Sequence, residues 1–297
     1  MTPPDRPWQL ATADHMLRFQ PGGRLLQVTF DHLKPHRGRD GLPEPWGWRF
    51  ALQNGWSILG IASLRPLWFR EAALHQALLR LRDAGFFRGF DRVVFAGSSK
   101  GGFGALVFSS LSPGATVIAI DPQSTLDRAL VPWETRYPLG DWAPPFRDAA
   151  EELATAARIW LLHDPHFDPD RRHADRLAAP GLTLLRCRHL GHGLAESLQK
   201  AEILAPVMRG FTEGTLDEAG FWALYRARRK LVRYPRALFA QALARGHFRL
   251  AERMARALAE QREDGHWFLA RAALFEAAAG DLAAFLRGLA LMQRADR

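Results

Sequence analysis

The chain has 297 residues, 47% of them apolar and 24% charged, which excludes a wholly disordered protein. Lys and Arg exceed Asp and Glu by 40 − 31 = 9; these charges are spread along the chain, so we interpret them as a solvated surface and expect no nucleic-acid partner. No run approaches the roughly 18 apolar residues of a membrane span, so no transmembrane segment is expected. Cys187 is the single cysteine, and the first residues do not have the pattern of a secretory signal. A reducing, cytoplasmic location is therefore expected.

Short apolar runs alternate with amphipathic stretches over the first 213 residues, a pattern typical of an α/β protein. Six runs predict strands, at 25–30, 56–62, 92–96, 116–120, 158–162 and 182–187. Helices are predicted between them, at 69–82, 102–110, 148–157, 169–178 and 194–203. The runs are apolar on both faces, as in a sheet covered by helices on each side. The alternation therefore predicts a doubly wound, mostly parallel sheet.

One stretch, residues 121–147, has no clear periodicity. It contains five prolines and four aromatic residues. Loops of this length in compact domains are usually functional or disordered, and the aromatic content argues against disorder. We interpret the segment as a lid over a site at the end of a strand, with Trp133 and Trp142 as candidate substrate contacts. Simple packing of a long loop would account for these aromatic rings equally well.

The composition changes from about residue 214, where the chain becomes helical and rich in Ala, Leu and Arg. Gly246 and Gly280 lie in similar surroundings, 280 − 246 = 34 residues apart. This period resembles tetratricopeptide-type helical hairpins; an ordinary pair of antiparallel helices is the alternative. The sequence thus predicts a sheet domain, 1–213, followed by a small all-α helical-hairpin region, 214–297, through which a protein partner could bind.

The most informative motif lies in residues 95–108. Gly97, Ser99 and Gly101 form Gly-x-Ser-x-Gly between a predicted strand and a predicted helix, the context that presents a serine hydroxyl at a sharp turn. A phosphate-binding loop is the alternative, but the Gly-Lys-Ser/Thr ending of a Walker motif is missing. Residues 14–213 resemble the α/β-hydrolase superfamily, and the form Gly-Ser-Ser-Lys-Gly-Gly is similar to that of its bacterial serine esterases and acyl hydrolases.

The resemblance implies a catalytic triad in the order nucleophile, acid, histidine. Ser99 matches the nucleophile. His192, between two glycines after the last predicted strand, matches the histidine, and His189 is a lesser candidate. For the acid we prefer Asp164, where the fifth strand ends, over Asp168, which precedes Pro169 like a helix N-cap. Asp121 is a third possibility, because some lipases of the superfamily carry the acid one strand earlier.

The resemblance also implies an oxyanion hole. One donor would be the backbone N–H of Lys100, and the second would come from the loop after Phe30, near Asp31 and His32. That loop lacks the His-Gly pair usual in the superfamily, which leaves the second donor open. The Lys100 side chain is expected to point to solvent at the start of its helix.

These residues predict a serine hydrolase that cleaves an ester, of an acyl or acetyl group, through an acyl-enzyme. A small-molecule, glycan or lipid ester is the expected substrate class. No cofactor is implied, and no His-Glu-x-x-His or comparable spacing predicts a metal. Two alternatives remain open: a catalytically inactive, hydrolase-like binding or scaffold protein that uses its C-terminal helices, and an acyltransferase that uses the same serine.

Overall fold

The computed structural model describes residues 2–31, 44–65, 67–137, 140, 142–261 and 268–269. The chain divides into two compact units, 1–225 and 226–297. The division falls after Tyr225, later than the boundary expected after Glu213, because the helix that ends at Tyr225 belongs to the first unit. Its Phe221 stacks on Phe211, with ring centroids 5.9 Å apart.

An eight-stranded sheet forms the centre of the first unit, in the order β1-β2-β4-β3-β5-β6-β7-β8. The strands are β1 (Trp8–Ala11), β2 (His15–Gln20), β3 (Leu25–Phe30), β4 (Ser57–Ser63), β5 (Arg92–Ser98), β6 (Thr116–Ile120), β7 (Arg158–His163) and β8 (Leu182–Arg186). β2 is antiparallel to its neighbours β1 and β4, and all the other pairs are parallel. This is the strand order of the α/β-hydrolase fold, so the predicted fold class is confirmed.

Two strands at one edge of the sheet were missed by the sequence analysis. In β2, buried and half-buried residues alternate, and β1 is largely exposed. His15, Leu17 and Phe19 are the buried positions of β2. A strand buried on one face mixes polar and apolar residues and carries no continuous apolar run, so the criterion that found the six parallel strands overlooked this hairpin.

Helices cover both faces of the sheet, which explains why the inner strands are apolar throughout. In the first unit they are α1 (Trp48–Gln53), α2 (Ala72–Asp83), α3 (Lys100–Val107), α4 (Ala149–Glu152), α5 (Asp168–Asp175), α6 (Leu194–Lys200), α7 (Leu204–Glu213) and α8 (Glu218–Tyr225). The main core includes residues of α2, α3 and α5. On α7, Phe211 stacks on Trp160 of β7 at 4.2 Å. None of the helices in the described part of the chain is long and apolar enough to cross a membrane.

The predicted lid, residues 121–147, is packed into this unit over much of its described length. Val131, Trp142 and Phe146 are buried, and the Trp142 ring lies 5.5 Å from that of Phe103 in α3. Glu134 adds a polar contact, because its carboxylate lies 3.0 Å from Nε2 of a buried histidine in α5. Much of the segment is therefore core structure.

The second unit contains α9 (Arg233–Ala244) and α10 (Phe248–Gln261), joined at Gly246, which has a φ of 71°. Phe239 of α9 packs on Phe268, with ring centroids 5.5 Å apart. The second predicted hairpin, around Gly280, lies outside the described residues, so the tetratricopeptide-like repeat stays a prediction.

Candidate active site

Ser99 lies at the turn between β5 and α3. Its φ of 54° and ψ of −119° are strained for a residue with a side chain. A Cβ at Gly97 would come within 2.2 Å of the Gly101 backbone, and one at Gly101 within 2.3 Å of the Phe30 carbonyl oxygen. The two flanking glycines therefore let the chain turn tightly enough to present the serine hydroxyl.

His192 lies beside this hydroxyl. Its Nε2 is 3.2 Å from Ser99 Oγ, a hydrogen-bond distance. The flanking Gly191 and Gly193 have φ values of 60° and 89°, a region that glycine enters without steric cost. His189, the lesser candidate, stacks instead on His166, with ring centroids 4.7 Å apart.

The carboxylate at the far side of the imidazole is that of Asp170, which the sequence analysis did not select. Its Oδ2 lies 2.8 Å from His192 Nδ1, and its Oδ1 lies 3.5 Å from Nη1 of Arg136. Asp170 is 1% exposed. The structure thus places a serine, a histidine and an aspartate in one hydrogen-bonded chain.

Neither predicted acid contacts the imidazole, so both choices of acid are corrected. Asp164 is buried, but its two oxygens accept the backbone N–H groups of His166, at 2.9 Å, and Gly191, at 2.6 Å. Asp164 therefore holds the backbone of the loop that carries His192. Asp168 has a side chain that is 63% exposed and pairs with Arg171 on the surface of α5.

A sequence signal for Asp170 does exist in α5. Asp170, Ala174 and Leu177 are spaced i, i+4 and i+7, which is one face of a helix, and all three are buried. Asp168 lies two residues earlier, on a different face. The expectation of an acid in the loop before the helix obscured this pattern, because here the acid comes from the first turn of the helix itself.

Asp121, the third candidate, also reaches the histidine loop without bonding to the ring. It follows β6 and is fully buried. Its Oδ2 accepts the backbone N–H groups of Gly193, at 3.0 Å, and Leu194, at 2.6 Å. Asp121 and Asp164 thus hold the backbone on the two sides of His192.

The electrostatics of the site suit proton transfer. Burial disfavours the charged imidazole, but the hydrogen bond and the charge of Asp170, with a smaller contribution from Asp121, outweigh burial and raise the pKa of His192 above its usual value of 6.5. Burial, followed by the charge of Asp170, raises the pKa of Asp121 to about 8. His192 is therefore a stronger base than an exposed histidine.

The predicted oxyanion-hole donors lie at the start of α3 and at the end of β3. Lys100 is the first residue of α3, a position whose N–H has no acceptor within the helix. The N–H of Asp31 instead donates to the carbonyl of Ile61 at 3.1 Å, so this group is used in the sheet and cannot serve as the second donor. His32 lies outside the described residues.

The Lys100 side chain is buried, contrary to the expectation that it points to solvent. Its Nζ donates to Ser63 Oγ at 2.7 Å and lies 4.6 Å from the centre of the Phe69 ring. Burial lowers the pKa of Lys100 to about 8 and raises the pKa of Asp31 to about 6, and each charge favours ionisation of the other. The ammonium group is therefore enclosed by the protein, next to Ser63 and the Phe69 ring.

Tyr137, from the 121–147 segment, was not singled out by the sequence analysis. Its ring packs on Trp68 at 4.8 Å. Burial raises the pKa of the Tyr137 phenol, and the positive charge of Arg136, followed by the nearby Ser99, partly opposes this rise. Nothing in the sequence distinguishes Tyr137 from the neighbouring aromatic residues, since the loop has no period.

The two tryptophans proposed as substrate contacts have other neighbours. Trp142 is in the main core. The Trp133 ring lies 4.6 Å from that of His173 and 4.2 Å from the guanidinium carbon of Arg172, so it packs on α5. Both rings therefore have structural contacts that account for their positions.

One group of side chains in the described part of the chain has atoms close enough to share a metal ion. These are Asp121, Asp170 and His192, with one ligand atom from each within 4.8 Å of the others. His192 Nδ1 and Asp170 Oδ2 are already hydrogen-bonded to each other. An ion bound through these two atoms would replace that hydrogen bond.

No family model and no curated protein sequence matches the chain. Among solved structures, it is similar to the capsule O-acetyltransferase of Neisseria meningitidis serogroup A, with 14% identity, coverage of 69% of this chain and 94% of that one, and a TM-score of 0.46. A Pyrobaculum calidifontis esterase shares 15% identity, with coverage of 73% and 87% and a TM-score of 0.46. Alpha/beta hydrolase domain-containing protein 10 from mouse shares 14%, with coverage of 71% and 100% and a TM-score of 0.46. At these identities the likeness concerns the fold alone.

Proposed function

We propose that the protein is a serine hydrolase that cleaves an ester of an acyl or acetyl group through an acyl-enzyme. The observation that carries this proposal is the hydrogen-bonded chain from Ser99 Oγ to His192 Nε2, at 3.2 Å, and from His192 Nδ1 to Asp170 Oδ2, at 2.8 Å. A serine hydroxyl is a weak nucleophile until an adjacent base removes its proton. The strained backbone of Ser99 and the buried acid support the same role.

In this mechanism Ser99 Oγ attacks the ester carbonyl carbon while His192 takes the hydroxyl proton. The imidazolium then gives that proton to the leaving alcohol, and the acyl group stays on Ser99. Water, deprotonated by His192, attacks the acyl-enzyme; the imidazolium then returns this proton to the leaving Ser99 Oγ, and the carboxylic acid is released. Asp170 keeps the Nδ1–H tautomer and stabilises the imidazolium in both half-reactions.

The negative charge on the carbonyl oxygen in the transition state needs hydrogen-bond donors. The N–H of Lys100, at the first position of α3, is one donor in our proposal. The Tyr137 hydroxyl is the second in our proposal, because it is near enough to Ser99 for that residue to influence its pKa and because the N–H of Asp31 is engaged in the sheet. The start of α3 also contributes the positive end of its helix dipole.

A fluorophosphonate probe tests the proposal, because it reacts only with an activated serine. We expect one equivalent of label on the wild-type chain and none on Ser99→Ala. Ser110→Ala, which changes a half-buried serine at the end of the 3₁₀ turn after α3, is the matched control and should label like the wild type. A wild-type chain that takes no label would contradict the proposal and favour a binding protein.

A further inference from the structure

Two buried carboxyl groups lie behind His192, one more than a triad requires. Asp121 follows β6 and Asp170 lies in α5; both are at most 1% exposed. One oxygen of each, together with a ring nitrogen of His192, lies within 4.8 Å of the other two atoms. Two full negative charges at that separation in a buried site would repel strongly.

The hydrogen bonds of Asp121 are satisfied on one oxygen only. Its Oδ2 accepts the N–H groups of Gly193 and Leu194. Its Oδ1 is buried and has no hydrogen-bond partner among the described residues. A buried carboxylate oxygen without a donor is costly, and one Asp170 oxygen lies within 4.8 Å of an Asp121 oxygen, so ionisation of Asp121 would add repulsion to this cost.

The charges that face this pair do not compensate for two carboxylates. Arg136 is the cation beside Asp170, at 3.5 Å, and its guanidinium also forms three hydrogen bonds with the carboxylate of Glu134. If Asp121 were ionised, three carboxylates would share one guanidinium and the His192 imidazole. One proton bound to Asp121 would remove this excess of negative charge.

We propose that Asp121 carries a proton at neutral pH, so that the two carboxyl groups hold one negative charge between them. Asp121 is then a positioning residue. It holds the backbone after His192 through two N–H groups and keeps a second negative charge away from the imidazole. The inference deepens the proposed function and rests on it for its catalytic consequence.

The electrostatics of Asp121 agree with this assignment, since burial and the Asp170 charge raise its pKa to about 8. A second negative charge about 5 Å from the imidazole would raise the pKa of His192 by about 2.4 units at an effective dielectric constant near 20. His192 would then be protonated at neutral pH and unable to accept the Ser99 proton.

A matched pair of substitutions separates the two carboxyls: Asp121→Asn and Asp170→Asn in the full chain. The readout is the pKa of the His192 imidazole, followed by NMR of histidine ring protons, with His192→Gln used to assign the signal. We expect Asp121→Asn to change this pKa by less than about 0.3 units and Asp170→Asn to lower it by about one unit or more. A fall of one unit or more in Asp121→Asn would show that Asp121 is charged, and would overturn the inference.

A second measurement is made on the wild-type chain itself, with Asp121→Asn used to assign the signal. Infrared difference spectra of the wild-type chain between about pH 7 and pH 9.5 should show the carboxylic acid C=O band of Asp121 disappearing; Asp31, with a pKa of about 6, is already ionised in this range. Asp121→Asn should lack this band, and a wild-type chain without it would contradict the inference. Neither readout depends on turnover, so failure of the proposed function, seen as an unlabelled Ser99, remains distinguishable.

Discussion

Three aspartates contact the short loop that carries His192, and each has a different role. Asp170 accepts from the ring, Asp164 accepts the N–H of Gly191, and Asp121 accepts two N–H groups after the histidine. The imidazole is thus oriented by one side chain and its backbone by two others. The acid of the triad is the carboxylate that reaches the imidazole ring. Which carboxylate does so depends on where α5 begins and on which of its faces points towards His192.

Replacement of Asp170 tests its assignment as the acid of the triad. We expect Asp170→Asn to lower kcat for an aryl ester by about 10⁴-fold, because the wrong imidazole tautomer would face Ser99. Asp168→Asn, an exposed position on the same helix, is the control and should leave kcat unchanged. Steady-state kinetics decide, and a larger loss in Asp168→Asn or Asp164→Asn than in Asp170→Asn would contradict the assignment.

The pKa of His192 predicts the pH dependence of the nucleophile. His192 must be neutral to accept the Ser99 proton, and its pKa is raised above 6.5 by Asp170. The rate of fluorophosphonate labelling should therefore fall as pH decreases, with a midpoint above 6.5. A midpoint at or below that of an exposed histidine would show that Asp170 does not act on the ring in solution.

Tyr137 provides a test of the oxyanion hole. We expect Tyr137→Phe to lower kcat by about tenfold or more, since one hydrogen bond to the developing charge contributes about 1.4 kcal/mol or more, while KM changes little. Tyr234→Phe, in the second unit, is the control. An unchanged kcat in Tyr137→Phe would assign the hydroxyl no part in the reaction.

The sequence predicts those site residues that lie in a recognisable local pattern and misses those that tertiary packing brings to the site. Ser99 and His192 lie in local glycine patterns next to strands, and these are visible in the chain. Asp170 and Tyr137 are brought to the site by tertiary packing of α5 and of an aperiodic loop. Lys100 follows the nucleophile at the start of a helix, where an exposed side chain is expected. Its burial results from the packing of β3, β4 and α3 against one another, which the sequence does not show.

The ends of β3 and β4 and the start of α3 enclose two buried ionisable side chains, Asp31 and Lys100. Asp31 and Lys100 are at most 3% exposed, and both are ionised between about pH 6 and about pH 8. Asp31 Oδ1 also accepts the N–H of Trp46 at 3.0 Å. This cluster fixes the backbone next to the proposed oxyanion hole.

A double-mutant cycle tests this coupling. We expect Asp31→Asn and Lys100→Met each to lower the free energy of unfolding by about 3 kcal/mol, because each leaves a buried charge without its counterpart. The double substitution should cost less than the sum of the two, by about 1 kcal/mol or more. Urea denaturation at neutral pH measures all four chains. Additive effects would contradict the coupling, and substitution of the exposed pair Arg24 and Asp91 is the control.

For the molecule as a whole, the sequence predicted the doubly wound sheet because its parallel strands are continuous apolar runs. All six predicted strands are present within two residues of their expected bounds. The antiparallel hairpin of β1 and β2 was missed because its burial alternates. The first unit extends to Tyr225 because α8 packs on α7 through Phe221 and Phe211, a tertiary contact that the change in composition did not reveal.

The central claim is that Ser99 forms the acyl-enzyme. The most direct measurement is mass spectrometry of the full chain, mixed with an aryl acetate and quenched in acid within the first turnover. We predict one acetyl group, on the peptide that carries Ser99, in the wild type and none on the corresponding peptide of Ser99→Ala. Acetyl groups found only on lysines or the N-terminus, with Ser99 unmodified, would contradict the account.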